Sequence, residues 1–326
     1  MSDLYLGLDL GGTHVRAVVA EPASDRPRIL GDASRATPST GRSGDVIAEL
    51  ATAARGALEN AGRSLHEVVA VGCAAPGPLD HHRGIVHVAP NIPGFEGVHL
   101  AEELSALLDG TPVFLDRDTV IAAIGEGMVG AARGERDYVY ITVSTGVGGA
   151  IVSGGRMLRG ATNTAGELGH WPVALMGPRG SGATAGSEEL PACGCGSYGC
   201  VESFAGGRNL AQQFGSRDAG DVFRAARAGD DRAKALVARA EAALTNLAIG
   251  LVNGLNPSVI VVGGGITEHE PQHVLDPMRR GIRERAFAVP AAAVQVVGAA
   301  LGPDVGMVGA LLAAQERAAG RGTWFA

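Results

Sequence analysis

Basic residues never gather in this chain. Its 326 residues carry 27 Lys and Arg, scattered along the sequence, against 34 Asp and Glu, for a formal net charge of −7. A protein that grips nucleic acid needs a basic stripe or face, so no nucleic-acid partner is expected. Long apolar runs are missing too. None reaches the roughly 18 residues of a membrane-crossing helix, and no basic region followed by an apolar core opens the chain, so neither a membrane span nor a signal peptide is expected. The expected compartment is the cytoplasm. Aromatics make up only 4%, and no low-complexity tract points to disorder. What is plentiful is glycine, 50 residues of it, beside a hydrophobic content of 46%: a chain rich in turns, long enough for two lobes that each bury a core.

Two stretches repeat one another in outline. Tyr138 to Val143 is an apolar strand that runs into Ser144-Thr145-Gly146-Val147-Gly148-Gly149, and Ala150 to Val152 leaves as a second strand. At the N-terminus Leu4 to Leu8 leads into Asp9-Leu10-Gly11-Gly12-Thr13, and Val15 to Val19 leads out. Two such units suggest two related lobes. Glycines let backbone N–H groups turn toward phosphate oxygens, and Thr13 and Thr145 add hydroxyl donors. Asp9 would repel phosphate unless a divalent cation stood between them, so it reads as a Mg²⁺ partner through water. For either turn alone a tight hairpin is the favoured reading; their occurrence as a pair reverses it in favour of a ligand.

Further along, Ser43 to Arg63 has helical spacing, Val68 to Gly72 is a strand, and Cys73 to Pro78 is a loop that its prolines keep from being helical. Ala89 to Phe95 is a second Pro-rich loop, followed by a short helix from Leu100 to Leu108. A strand from Thr111 to Leu115 delivers Asp116-Arg117-Asp118 to the start of a helix over Thr119 to Gly130. Asp118 there is either a carboxylate at the mouth of a cleft or the N-cap of the helix, roles that are compatible. The longest periodic helix covers Asp231 to Leu251, closed by Asn253-Gly254 and Asn256-Pro257, and feeds the buried strand Val259 to Val262 and the triplet Gly263-Gly264-Gly265. The triplet would let a flat ligand such as a purine lie on backbone, or make a tight strand-to-helix connection. A final helix spans Asp304 to Ala319, with Gly320 and Gly322 as its stop.

Cys193, Cys195 and Cys200 place three of the four cysteines within eight residues, and His170 lies upstream in Ala165-Gly166-Glu167-Leu168-Gly169-His170. Three Cys and one His make a closed tetrahedral set for structural Zn²⁺. A disulfide is the competing reading, disfavoured in a cytoplasmic chain. Cys73, in the Pro loop, reads as a small buried residue. A zinc-pinned loop would hold Glu167 and Glu202 near one point.

These pieces together resemble the ROK family of sugar kinases (repressor, open reading frame, kinase), and within it the bacterial glucokinases. DLGGT at Asp9 to Thr13 and STGVGG at Ser144 to Gly149 are similar to its two phosphate motifs, CGCGSYGCVE at Cys193 to Glu202 to its zinc signature, AGELGH at Ala165 to His170 to its sugar-binding stretch, and VVGGGI at Val261 to Ile266 to its adenosine segment. The resemblance implies an actin-like, hexokinase-type (ribonuclease H-like) α/β fold of two lobes around a cleft: residues 1–115 with a helix of about 303–320 returning to them, and residues 116–302 carrying the zinc loop. It implies ATP-dependent phosphorylation of a hexose primary hydroxyl, glucose first, with Asp118 as the base. Sugar contacts fall to Gly77, Asn91, Arg117, Asp118, Glu167, His170 and Glu202. Asp9 helps hold Mg²⁺; Gly11, Gly12, Thr13, Thr145, Gly146, Gly263, Gly264 and Gly265 face ATP; His170, Cys193, Cys195 and Cys200 hold Zn²⁺. A homodimer or homotetramer is implied.

Two departures from the family pattern stand out. Arg117 replaces the usual Asn before the base, and the gap from His170 to Cys193 is lengthened by Met176 to Leu190, with five glycines or prolines. The first leaves open whether the acceptor is glucose or another sugar such as N-acetylmannosamine, N-acetylglucosamine, fructose or allose, and whether Arg117 lines the pocket or turns outward to a carboxylate such as Glu126 or Asp116. The second suggests an insertion near the pocket mouth or a dimer contact. Polyphosphate is an alternative donor and a non-catalytic sugar sensor an alternative role. A repressor of the family would need an N-terminal helix-turn-helix ahead of a motif that begins at Asp9, so it is not expected.

Overall fold

Residue contacts in the structure, a computed structural model describing residues 3–23, 25–173 and 190–321, divide the chain into two units. The first comprises Met1–Gly134, Arg159–Ala165 and Pro303–Ala326, and the second Glu135–Leu158 and Gly166–Gly302. Met176 to Glu189 of the lengthened gap, and Gly322, lie outside the described residues.

The first unit is organised on strand β1 (Leu4–Leu10), an apolar run buried along nearly its whole length, as a central strand covered on both faces must be. It pairs antiparallel with β2 (His14–Glu21), which pairs antiparallel with β3 (Arg28–Ala36). Leu4, Leu6, Leu8 and Leu10 share a core with helix α1 (Ser43–Asn60). That helix stops short of Arg63, because Gly62 turns left-handed at φ 64°. On β1's other side lies β4 (Val68–Ala75), parallel to it. A small antiparallel sheet of β5 (Leu79–Asp80), β6 (Ile85–Val88) and β7 (Glu96–Val98) follows, then α2 (Leu100–Leu107). Strand β8 (Val113–Arg117) extends two residues past the expected Leu115, since Asp116 and Arg117 pair with Ala74 and Ala75 of β4. Helix α3 (Asp118–Val129) starts immediately after it.

The C-terminal helix Val305–Ala318 covers the second face, with Met307 and Leu311 packed on Tyr5 and Val18. Gly7 and Gly72 permit this: a Cβ on Gly7 would sit 2.5 Å from Met307 O, and one on Gly72 would collide with Ala310 O. The same helix packs backbone-close on α3 at Gly309 and Ile121. That packing draws α3 into the first unit, so the division falls at Gly134 and not at 115.

The second unit repeats the plan. Central β9 (Tyr138–Val143) pairs antiparallel with β10 (Val147–Ser153), which pairs antiparallel with β11 (Arg156–Met157). After the short helices α4 (Val201–Ala205), α5 (Gly207–Phe214) and α6 (Ala219–Arg227) comes α7 (Asp231–Leu255), then β12 (Val259–Gly263), parallel to β9. Helices α8 (Gly265–His269), α9 (Pro271–Arg285) and α10 (Ala288–Ala293) lead to β13 (Gln295–Gly298), parallel to β12. The sheet orders, β3-β2-β1-β4-β8 and β11-β10-β9-β12-β13, are the same arrangement written twice. In each, a Gly turn joins the central strand to its antiparallel neighbour.

Helix α7 outruns its expected end at Leu251. Asn253 and Gly254 stay helical, and the stop is Asn256, left-handed at φ 49°, ahead of Pro257. Among the described residues α7 alone has the length and apolarity of a membrane span; its Leu236, Val237, Leu244, Leu247 and Leu251 are instead buried in the unit's core.

Candidate active site and metal cluster

In the first unit the β1–β2 turn walls an open cavity of about 390 Å³ lined by Asp9, Gly11, Gly12, Thr13, His14, Arg16 and Ser34. The turn is fixed from outside: Thr37 donates through Oγ1 to Gly11 O at 2.7 Å and through its N–H to Thr13 O at 2.9 Å. Gly12 faces Asn91, whose Cβ and O lie 3.1 Å from where a Cβ would stand, so two expected site residues meet here. Asp9 accepts from Arg16 at 2.5 Å and lies against Gly306, in the first turn of the C-terminal helix, where the helix dipole favours an anion. One carboxylate beside an open cavity fits Mg²⁺, which takes one or two protein carboxylates and fills its other positions with water and phosphate oxygens. Cys73 is wholly buried, and burial followed by the Asp9 charge raises its thiol's pKa, which fits an inert core residue.

The end of β8 gathers the charged groups. Asp116 and Arg117, 1% and 2% exposed, are drawn inward by pairing with β4, while Asp118, the next residue, is exposed. The carboxylate of Asp118 accepts from Thr119 N at 2.6 Å; the N-cap position itself is Arg117. Arg117 does not turn outward. Its guanidinium donates to Ala165 O at 2.6 Å, and its stem packs on Gly77, where a Cβ would lie 3.1 Å from Arg117 Cδ. Asp116 is taken by Arg159, which grips it with two bonds of 2.8 and 2.7 Å, and Glu126 accepts from Ala131 N. Removing one member of such a buried pair typically costs about 3–5 kcal/mol, because the other charge is left uncompensated.

In the second unit the β9–β10 turn rests on the start of α5. Gly207 and Arg208 donate their N–H groups to Ser144 O and Thr145 O, at 2.8 and 3.0 Å. Thr145 is exposed, and Glu202 reaches the turn from below, accepting from Val147 N at 3.0 Å in space that only Gly146 leaves open. The glycine triplet closes on the same turn. Gly264 has φ 93°, a conformation L side chains rarely adopt, and a Cβ there would lie 2.6 Å from Thr142 Oγ1 and Val143 O. Gly265 lies near Ser144.

His170 ends the turn Leu168–His170, and the segment after it pairs with the cysteine loop: Val173 N donates to Gly199 O and Val201 N to Trp171 O, both at 3.0 Å. The four ligand atoms of His170, Cys193, Cys195 and Cys200 lie within 4.8 Å of one another. His170 Nδ1 is 3.4 Å from Cys193 Sγ, and Cys195 Sγ is 3.8 Å from Cys200 Sγ. Zinc–ligand distances of about 2.3 Å to sulfur and about 2.0 Å to nitrogen put tetrahedral ligand atoms about 3.5–3.8 Å apart, so the set fits Zn²⁺. Burial pushes the Cys200 thiol up to about 12, with the neighbouring thiols adding to it. The Ser197 backbone holds Cys195 below the usual thiol range. Glu202 Oε1 stands 4.0 Å from Cys193 Sγ, so this carboxylate adjoins both the cluster and the Gly turn. Glu167 is exposed, one residue before the His170 turn.

Comparison with known proteins agrees with this geometry. The profile of the ROK family matches residues 5–317. The chain belongs to the ROK family. It is 30% identical to the glucokinase of Thermotoga maritima, over 97% of this chain and 98% of that one, and 31% identical to the N-acetylmannosamine kinase of Escherichia coli, over 95% and 98%. Among solved structures it is similar to a ROK hexokinase from Thermus thermophilus, with a TM-score of 0.78 and 36% identity over 97% of this chain and 99% of that one. A ROK family glucokinase from Streptomyces griseus, in complex with glucose and AMPPNP, gives a TM-score of 0.76 and 30% identity over 96% and 99%. The fold of this ROK protein is the actin-like, hexokinase-type α/β fold.

Two residues of the site escaped the sequence. Arg16 and Arg159 hold Asp9 and Asp116, and neither sits in a motif. Arg16 was legible in principle, since it faces Asp9 directly across the β1–β2 register. Arg159 lies 43 residues from its partner, and nothing local announces the pair.

Proposed function

We propose that this ROK sugar kinase transfers the γ-phosphoryl group of ATP to the primary hydroxyl of a hexose, glucose being the leading acceptor, with Asp118 as general base. The observation that carries the reading is the exposed Asp118 carboxylate, at a strand end whose two preceding charged residues are buried and engaged. A sugar hydroxyl is a poor nucleophile until its proton has an acceptor, and phosphoryl transfer otherwise asks a protein for positioning and charge neutralisation. Asp118 takes that proton; Gly77, Asn91, Arg117, Glu167, His170 and Glu202 orient the sugar. The backbone and hydroxyls of Gly11, Gly12, Thr13, Thr145 and Gly146 receive the phosphates, and Gly263 to Gly265 the adenosine. Mg²⁺, held by Asp9 through water, would neutralise phosphate charge. Zn²⁺ on His170, Cys193, Cys195 and Cys200 would fix the loop that carries Glu202. A cytoplasmic homodimer or homotetramer completes the reading, supported by the family resemblance.

A second acceptor stays in view because Arg117 is buried beside Gly77 and can only donate, where the family's usual Asn both donates and accepts. The similarity to an N-acetylmannosamine kinase points the same way. A coupled phosphorylation assay over a panel of hexoses and N-acetylhexosamines, with Mg²⁺-ATP and with polyphosphate, tests the proposal. ATP-dependent turnover with glucose leading is expected. Turnover led by an N-acetylated sugar would move the assignment to the second reading, and none with any sugar would end the kinase proposal.

A further inference from the structure

We infer that Arg159 is a positioning residue for the catalytic strand end, acting on Asp118 through Asp116; this rests on the reading of Asp118 as the base. The segment 159–165 and the end of β8 clasp one another in both directions. From the segment, Arg159 donates to both oxygens of Asp116, at 2.8 and 2.7 Å. From the strand, Arg117 donates to Ala165 O at 2.6 Å. The Asp116 oxygen that takes the first Arg159 bond, Oδ1, also accepts the N–H of Arg117 at 2.9 Å, so the guanidinium is one side chain away from the backbone that enters Asp118.

The clasp is built to be stiff. Ala165 N closes the segment on Arg159 O at 3.0 Å, Asn163 turns left-handed at φ 58°, and its Nδ2 ties the segment to Leu79 O at 3.0 Å. Arg317 adds a second positive charge near Asp116. His81, only 7% exposed and with no hydrogen-bond partner at either ring nitrogen, stays neutral beside the pair, its pKa pushed down to about 4 by burial and by the Arg159 charge. A guanidinium fork fixes a carboxylate in direction as well as in place, which an ammonium does not. The base is therefore held in aim through the two hydrogen bonds that Arg159 gives the neighbouring carboxylate of Asp116.

A double-mutant cycle tests this. Arg159→Lys keeps the charge and loses the fork, and near-UV circular dichroism below the melting temperature reports whether it is folded. The expected result is a kcat at least about tenfold lower with sugar KM changed by less than about threefold, since a displacement of about 1 Å can cost about a hundredfold. In an Asp118→Asn background the same substitution should cost nothing further in kcat. A purely structural Arg159 would lower kcat by the same factor in both backgrounds, and that result, or an unaltered kcat for Arg159→Lys alone, overturns the inference. A mild effect of Asp118→Asn alone would instead overturn the base assignment on which the inference rests. If Arg159→Lys is not folded, Asp116→Asn, with one acceptor oxygen in place of two, takes its place in the cycle with the same expectations.

Discussion

On the proposed function, arginine at position 117 changes what a sugar hydroxyl would find there. An amide offers an acceptor and a donor, a guanidinium only donors, and this one is already committed to Ala165 O with its stem against Gly77. Arg117→Asn should therefore reorder kcat/KM across a sugar panel, raising glucose relative to the N-acetylated sugars; an unchanged ranking would show that Arg117 does not read the substrate. Much at this scale was legible in the chain. The glycine turns beside Asp9 and Thr145, and the exposed carboxylate at the strand end, lie where the local sequence puts them, because each is set by its own backbone or an adjacent residue. What could not be read is whatever needs a distant partner. The burial of Asp116 and Arg117 follows from their pairing with Ala74 and Ala75, and the fork on Asp116 comes from Arg159, so both depend on topology.

In the connections between elements glycines are not interchangeable. Gly264, left-handed and with no room for a Cβ, joins β12 to α8, whereas Gly265 has only Ser144 Oγ, at 3.8 Å, near its own. Gly264→Ala should lose about 1–3 kcal/mol of stability in urea titration and weaken ATP binding, while Gly265→Ala should be nearly neutral in stability. Equal effects of the two would show that the turn is not strained as described. The cysteine loop makes the other element-scale prediction. Freshly purified protein should hold about one Zn²⁺ per chain by elemental analysis, and Cys195→Ser should lose it together with sugar affinity, without rescue by Mg²⁺. Active protein free of zinc would remove that role. The central strands and the helices α1, α3 and α7 were readable from periodicity; the largely exposed strand β3, and α9 with Pro277 inside it, were not. The short helices α4 to α6 and α8 were not, being too brief for a 3.6-residue pattern to show, and α7 overran because its exposed Asn253 and Gly254 stay helical until Asn256 takes the left-handed cap.

One five-stranded plan appears twice in the molecule, and each copy ends its central strand in a glycine turn. That duplication was visible in the sequence as two strand–turn–strand stretches, because a tight glycine turn between paired strands constrains several consecutive residues. Where the first unit ends was not visible. Its limit at Gly134 is set by α3 packing on a helix nearly two hundred residues later, and no composition shift marks it. The two copies have diverged in what they carry, Asp118 and the Arg159 clasp in one, the cluster of three cysteines and His170 and the glycine triplet in the other. The central claim is that the protein is a phosphotransferase whose base is Asp118. Single-turnover and steady-state rates of Asp118→Asn with glucose and Mg²⁺-ATP, alongside glucose binding by calorimetry, test it most directly. The account predicts a rate about 10² to 10⁴ lower with the glucose Kd nearly unchanged, and a loss of less than about tenfold would contradict it.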